Sequence, residues 1–259
     1  MASPTILIII PVLNDAVALE SSLDHLLKFW DARDIMVVDG GSADKSMEIA
    51  RKKGVRTRVS KQPGRAVQMN LGAENTLHDV LLFLHADTRL PFTSASLIRK
   101  AVNEGCIGGA FSRRYDTPSA FLRFTCRLAD WRGRRFGLFL GDQAIFTRRD
   151  YFGDSGGIPA LPLFEDLEFS RKMATKGKTC LLSPPVISSA RRFKKRGPVR
   201  QTLRDLSLTL HYFMTGPHQN RHDEKMEKNP EVDSSYSRNS SLAAVPDMKT
   251  ATESEPGSR

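Results

Sequence analysis

One short stretch ends in residue types that could hold a phosphate-bound metal: Leu81-Leu82-Phe83-Leu84-His85-Ala86-Asp87-Thr88. An apolar run of strand length stops at a His and, two residues on, an acid. In extended chain such side chains point the same way, so His85 and Asp87 together could hold a divalent cation against a substrate phosphate. A strand ending in an ordinary polar turn is the plainer alternative. A second acid, Asp39, closes Ile35-Met36-Val37-Val38 and precedes Gly40-Gly41-Ser42. A carboxylate ending the second strand of an α/β unit commonly accepts hydrogen bonds from a ribose or base. The glycines let backbone approach a ligand closely, while Asp39 or Ser42 could equally cap the next helix. Glu165-Asp166 opens a helix after Pro162-Leu163-Phe164. Acids there suit the helix dipole, and one of them could act as general base on a hydroxyl nucleophile. Arg191-Arg192 offers guanidinium forks that match a diphosphate, or plain solvated charge. The run from Arg123 to Arg135, interleaved with Phe124 and Trp131, could touch a lipid-linked acceptor, a membrane or RNA, or turn its aromatics inward.

The elements that must position these residues follow from periodicity. Thr5 to Ile10 is a β-branched run of the kind buried on both faces. Pro11 is expected to stop it, and Asn14-Asp15 to cap a helix carried by Leu19, Leu23, Leu26, Leu27 and Trp30. Ile35 to Val38 is the next strand, with a helix from about Asp44 to the C-terminal cap at Gly54. Val55 to Val59 reads as a short strand, Arg65 to Glu74 as a helix after Pro63-Gly64, and Val80 to Leu84 as the fourth strand. This alternation predicts a parallel sheet covered by helices. Further on, Leu97 to Glu104 reads as helix, Ile107 to Tyr115 as strand and Phe121 to Arg135 as a basic amphipathic stretch. Gly141-Asp142-Gln143 leads into a strand at Ala144 to Phe146. A helix runs to about Lys176, Thr179 to Leu182 and Val186-Ile187 are short strands, and a last helix spans about Val199 to Phe213.

Composition bounds the rest. The chain has 259 residues, 40% of them hydrophobic and 26% charged, as in ordinary globular domains. Residues 217–259 are rich in Ser, Asn, Glu and Lys with few apolar residues, and are expected to form a disordered tail behind a single domain over 1–216. The tail, with six basic and eight acidic residues, carries −2, and residues 1–216, with 33 basic and 21 acidic, carry +12, for a net charge of +10. A basic surface suits nucleic acid, anionic head groups or nucleotide-linked substrates. Cys106, Cys126 and Cys180 are widely spaced, which supports neither a zinc site nor a disulfide framework. No apolar run is long enough to span a bilayer, and no basic leader with a cleavage site is present. A cytoplasmic protein is the expectation, with room for contact at the inner face of a membrane.

Absences narrow the chemistry. A dinucleotide enzyme would place Gly-x-Gly-x-x-Gly after the first strand, where this chain has Pro11-Val12-Leu13-Asn14-Asp15, and no Gly-Lys-Ser/Thr phosphate loop occurs. A methyltransferase would also want glycines there.

Taken in order, Pro11 to Asp15, Val38 to Asp44, Gly64-Arg65-Ala66, Asn70 to Ala73, Phe83 to Pro91 and Phe164-Glu165-Asp166 resemble the family-2 glycosyltransferases of GT-A fold. The resemblance covers about residues 5–216. His85 to Pro91, Gly141 to Phe146, Glu165 to Glu168 and Ser189 to Arg192 are similar to a bacterial-type subgroup named for arsenosugar biosynthesis. The resemblance implies a Rossmann-like α/β domain with a mostly parallel sheet flanked by helices. It implies a nucleotide-sugar donor held near Pro11, Asn14, Asp15, Asp39 and Arg65, and a hydroxyl acceptor beside Gly141, Asp142 and Gln143. Arg191 and Arg192 would face the diphosphate. Asp87 matches the second acid of the family's Asp-x-Asp, which carries Mg²⁺ or Mn²⁺. His85 stands where the first acid is usual, which favours Mn²⁺ or weakens metal dependence. Asp166, next to Glu165, matches the general base of an inverting single displacement. Nucleic acid is not an expected partner. Two other readings stay open: a nucleotidyltransferase of related fold, although the glycine-rich loop of that class is missing, and a non-catalytic basic module for RNA or anionic membrane. A degenerate glycosyltransferase is a third.

Overall fold

The computed structural model describes residues 3–62, 64–161 and 163–215. The tail expected from residue 217 lies outside the described residues.

Strand β1 (Ile6–Val12) is the axis of the sheet. Its continuous apolar run serves two layers because alternate side chains point to opposite faces. Ile6, Ile8 and Ile10 pack with Leu19, Leu23 and Leu26 of α1 (Ala16–Leu26). Leu7 and Ile9 pack with Met69 of α3 (Arg65–Ala73) and with Phe83, Phe152 and Phe169. On either side of β1 lie β2 (Ile35–Asp39) and β4 (Val80–Phe83), both parallel to it. Outside β2 lies β3 (Arg56–Val59), reached through α2 (Ser46–Lys52).

Beyond β4 the direction changes. Strand β7 (Phe146–Arg148) runs antiparallel to β4, and β6 (Gly108–Tyr115) antiparallel to β7. Strand β8 (Thr179–Ser188) is parallel to β6, and the two-residue β5 (Thr88–Arg89) closes the edge antiparallel to β8. The sheet is therefore eight-stranded and mixed, in the order β3-β2-β1-β4-β7-β6-β8-β5. Helices α4 (Ser94–Asn103), α5 (Ala120–Phe136), α6 (Arg149–Asp154), α7 (Glu165–Lys176), α8 (Arg191–Arg196) and α9 (Pro198–Thr215), with 3₁₀ turns at Ala32–Asp34 and Gly141–Gln143, complete the described elements. Where β6 meets β8, a Cβ on Gly109 would lie 2.1 Å from the Cys180 carbonyl oxygen, so only glycine fits that approach. All three cysteines are free.

Several local expectations are corrected. Pro11 does not stop β1, which pairs with β2 through Pro11–Val38 and Val12–Asp39. The Ile9 carbonyl accepts from Leu84 and the Val12 carbonyl from Gly40. Backbone groups alternate sides, so Pro11 faces the β4 side, where the ladder has already ended at Ile9–Phe83. Its missing N–H leaves no bond unmade. The two short strands read near residues 179–187 are one strand, with its register shifted opposite Phe111 to Arg113. The basic cluster Arg191 to Arg196 is itself helical. His85 and Asp87 are not side by side on extended chain: the Thr88 N–H donates to the His85 carbonyl at 3.0 Å, and the chain turns between them.

Candidate active site

In a sheet of order β3-β2-β1-β4, the chain leaves β1 toward opposite edges, and the carboxyl ends of β1, β2 and β4 open a crevice at this switch point. Two loops form its rim. The Asn14 N–H donates to Ser42 Oγ at 2.9 Å, and Asn14 Oδ1 accepts from the Ala43 N–H at 2.8 Å, with Asn14 at φ +51°. Asn14-Asp15 was expected to cap α1, but the capping carboxylate comes from the facing loop. Asp44 Oδ2 accepts from the Ala16 N–H at 2.9 Å, and its Oδ1 accepts from the Ser46 N–H at 3.0 Å. One side chain thus serves the first turns of two helices.

Asp39 is 2% exposed. Its Oδ2 accepts from the N–H groups of Gly41 and Ser42 at 3.0 and 2.9 Å. Its Oδ1 is buried with no hydrogen-bond partner. Beneath it, Gln68 Nε2 donates to the carbonyls of both Val12 and Val38 at 2.8 Å, tying the ends of β1 and β2. Nothing in the local pattern of α3 singles out Gln68, because its partners lie far away in sequence.

Asp15 receives a two-pronged hydrogen bond from Arg191, at 2.7 Å from Nη1 with Nη2 on the second oxygen. The same Nη2 lies 3.4 Å from Asp87. Burial raises the Asp87 carboxyl above its usual range, against the pull of Arg191 and Arg192. The Asp87 carbonyl also accepts from the Ser189 N–H at 3.2 Å, anchoring the turn to the segment that leads into α8.

His85 belongs to a different group. Its Nε2 is buried and has no hydrogen-bond partner. Burial, reinforced by the charge of Arg65, lowers its pKa to about 3, so the imidazole is neutral throughout the physiological range. A Cβ on Gly141 would lie 2.7 Å from His85 Nε2 and 3.0 Å from Asp166 Oδ2, so the bare Gly141 sits between these two side chains. The Gly141 N–H donates to Asp166 Oδ2, and the Leu167 N–H donates to Oδ1 at 2.7 Å. Arg65, His85, Gly141 and Asp166 line one small cavity with an apolar floor that includes Phe83 and Phe169. Glu165 is buried, 3.6 Å from Arg65 Nη1. Burial and the neighbouring Asp166 push its carboxyl up to about 7, against the pull of Arg65. Burial also raises Asp166.

Asp142 follows Gly141 in a tight turn and forms an ion pair with Arg113 of β6. Tyr115 donates to the same oxygen at 3.3 Å. Burial alone would raise Asp142, but the charges of Arg113 and Arg192 hold it below the usual carboxylate range. Gln143 is fully buried, and its amide is bonded internally to Leu140, Arg132 and the Phe111 carbonyl. Arg113 had a signal in the sequence, since a charged residue inside an apolar strand needs a partner. The structure thus forms two groups: Asn14, Asp15, Asp39, Asp87 and Arg191 around the switch point, and Arg65, His85, Gly141, Glu165 and Asp166 around the cavity. Pro11 lies on β1 at the rim, and Arg192 places its charge near Asp87 and Asp142. Gln143 faces the interior. Among the described residues, no three His, Cys, Asp or Glu side chains converge as a metal-binding group.

The fold is mixed α/β, with an acid ending β2, a turn acid after β4 and an acid pair at the start of α7. The chain matches the family described as Glycosyl transferase family 2 over residues 7–159, more than half its length, and belongs to that family. Among solved structures it is similar to a mannosyltransferase from Pyrobaculum calidifontis, determined in complex with GDP-Man and Mn²⁺. That likeness has 20% identity and a TM-score of 0.57, covering 73% of this chain and 57% of that one. It is also similar to residues 1–349 of TarS from S. aureus, at 14% identity and a TM-score of 0.52, covering 72% of this chain and 60% of that one. At these identities the likeness is one of fold, and the chain spans less than two thirds of either structure. No curated protein matches the chain.

Proposed function

We propose that this chain transfers a glycosyl group from a nucleotide-sugar to a hydroxyl acceptor by a single inverting displacement aided by a divalent cation. The observation that carries the reading is the orphaned Asp39 oxygen at the switch point where the half-buried Asp87 also lies, with Glu165 and Asp166 in the second group around the cavity. An unpaired buried acceptor costs on the order of 1–3 kcal/mol, and a ribose hydroxyl or base N–H would satisfy Asp39 Oδ1. Asn14, Asp15, Pro11 and Arg65 complete the donor side in this reading. Asp87 is the carboxylate that would hold a cation, with the Arg191 guanidinium now 3.4 Å from it giving way. One carboxylate plus substrate phosphates is a common way to hold Mg²⁺ or Mn²⁺, and such an ion offsets charge gathering on a leaving diphosphate. His85, neutral and with a bare Nε2, suits Mn²⁺ better than Mg²⁺, although its ring lies with Asp166 and Gly141. Arg191 and Arg192 would exchange carboxylates for diphosphate oxygens.

On the acceptor side, Asp166 is the general base. The N–H groups of Gly141 and Leu167 orient its carboxylate, and burial raises its proton affinity above that of a solvated acid. Two adjacent buried carboxyls do not both ionise readily. Burial and the charge of Asp166 push Glu165 up to about 7, and the two N–H donors on Asp166 favour its ionised form. The acceptor hydroxyl gives its proton to Asp166 as its oxygen attacks the anomeric carbon, opposite the departing diphosphate. Gly141 and Asp142 border the acceptor, and Gln143 acts by holding their turn in place. The arsenosugar-type subgroup and a cytoplasmic location are part of this proposal. Thermal shift against UDP, GDP and their sugars, with and without Mn²⁺, tests it. Stabilisation by one nucleotide that needs Mn²⁺ and is lost in Asp87→Asn supports it. A folded chain that shifts with no nucleotide would refute it.

A further inference from the structure

Helix α9 presents Val199, Leu203, Leu206, Leu210 and Met214 to solvent, each more than half exposed. Steps of three and four residues place all five on one face of the helix. Helix α5, which touches α9, does the same with Phe124, Leu128 and Trp131, between 55 and 62% exposed. Single exposed leucines are unremarkable, but two apolar stripes on neighbouring helices amount to a binding surface. Its occupant is indicated by charge. Helices α5, α8 and α9 carry nine further arginines and lysines against two aspartates, besides Arg191 and Arg192 at the site and Arg132, which is bonded inward to Gln143. A second copy of the chain would bring the same positive charge to the contact. A nucleic acid would match the charge but leave the leucines and Met214 in water.

We propose that α5 and α9 dock this protein on an anionic lipid bilayer, lying in the interface. Such a surface takes both kinds of residue, with basic side chains among the head groups and Leu, Phe and Trp at the acyl boundary. Trp131 and Phe136 meet edge to face at 5.6 Å, with Arg135 over the Phe136 ring at 5.2 Å, an aromatic-cation group suited to that boundary. No helix among the described residues is long and apolar enough to cross a membrane, so contact would be peripheral. Helix α9 also reaches the site: Tyr212 donates to Glu168 at 3.2 Å, and its ring lies tilted at 47° against Phe164, the residue before Glu165.

Flotation of the full chain with phosphatidylcholine vesicles, with and without phosphatidylglycerol, tests the proposal and involves no nucleotide. Binding is expected to the anionic vesicles, to fall as salt rises, and to be about tenfold weaker on phosphatidylcholine alone. Leu206→Gln with Leu210→Gln should lower vesicle partitioning at least about tenfold, and Arg134→Gln with Arg135→Gln several-fold, with melting temperatures unchanged because all four side chains are exposed. Three results would overturn it: no binding to either vesicle, undiminished binding of the leucine variant, or a concentration-dependent dimer that the leucine variant dissolves. None of them bears on donor binding, so the transferase reading stands or falls separately.

Discussion

At the start of α7, burial and the charge of Asp166 raise the carboxyl of Glu165. Glu165 has a folded pKa of about 7 against 4.5 for the free side chain. The folded state holds that proton more tightly, so the resulting stability is complete below about pH 4.5 and is lost as pH rises through 7. Glu165→Gln imitates the protonated form. It is expected to melt with the parent chain at pH 5 and above it at pH 8, by on the order of 1–3 kcal/mol; equal melting at both would show that Glu165 ionises freely. Arg191 lends itself to a second measurement. Its guanidinium spans Asp15 and Asp87, and Arg191→Ala should weaken nucleoside diphosphate binding about tenfold, the worth of a charged hydrogen bond. Titration calorimetry reads this directly. Asp39, Asp87, Glu165 and Asp166 were legible as acids at strand ends and a helix start. Asp44 as a cap for α1, Gln68 as a tie and Arg113 as the partner of Asp142 were not, because each acts on residues about thirty or more positions away.

Among the elements, apolar periodicity located most helices and strands to within a few residues, and pairing accounts for the departures. Pro11 is tolerated inside β1 because of the side it faces, which depends on where β4 ends. Strand β8 passes unbroken through Pro184 and Pro185 because β6 offers it a shifted register. Close packing leads to a prediction at Gly72, where α3 crosses β1. A Cβ there would lie 2.5 Å from Ile9 Cγ2 and 3.0 Å from Val38 Cγ2. Gly72→Ala should cost about 1–3 kcal/mol, several degrees in melting temperature, with little change in donor affinity once folded. Gly141→Ala should behave in the opposite way. Its methyl would press on His85 Nε2 and Asp166 Oδ2, so turnover should fall at least tenfold while the melting temperature moves little; a variant with full turnover would remove Asp166 from the mechanism.

For the whole molecule, we propose that residues 1–216 form one self-sufficient domain and that the rest adds nothing to its stability. A chain ending at residue 216 should melt within a degree or two of the full chain and bind the same nucleotide, and a large drop would place part of the core beyond that point. The amino-acid order by itself determined the α/β class, the parallel start of the sheet and the acids that end its elements. Those follow from local periodicity and from residue types that few other roles require. Tertiary structure alone decided that the sheet turns antiparallel after β4, that His85 lies with Asp166 while Asp87 lies with Asp15, and that Gln143 is turned inward. Each of these depends on which distant segment fills the neighbouring space, and no local pattern carries that information.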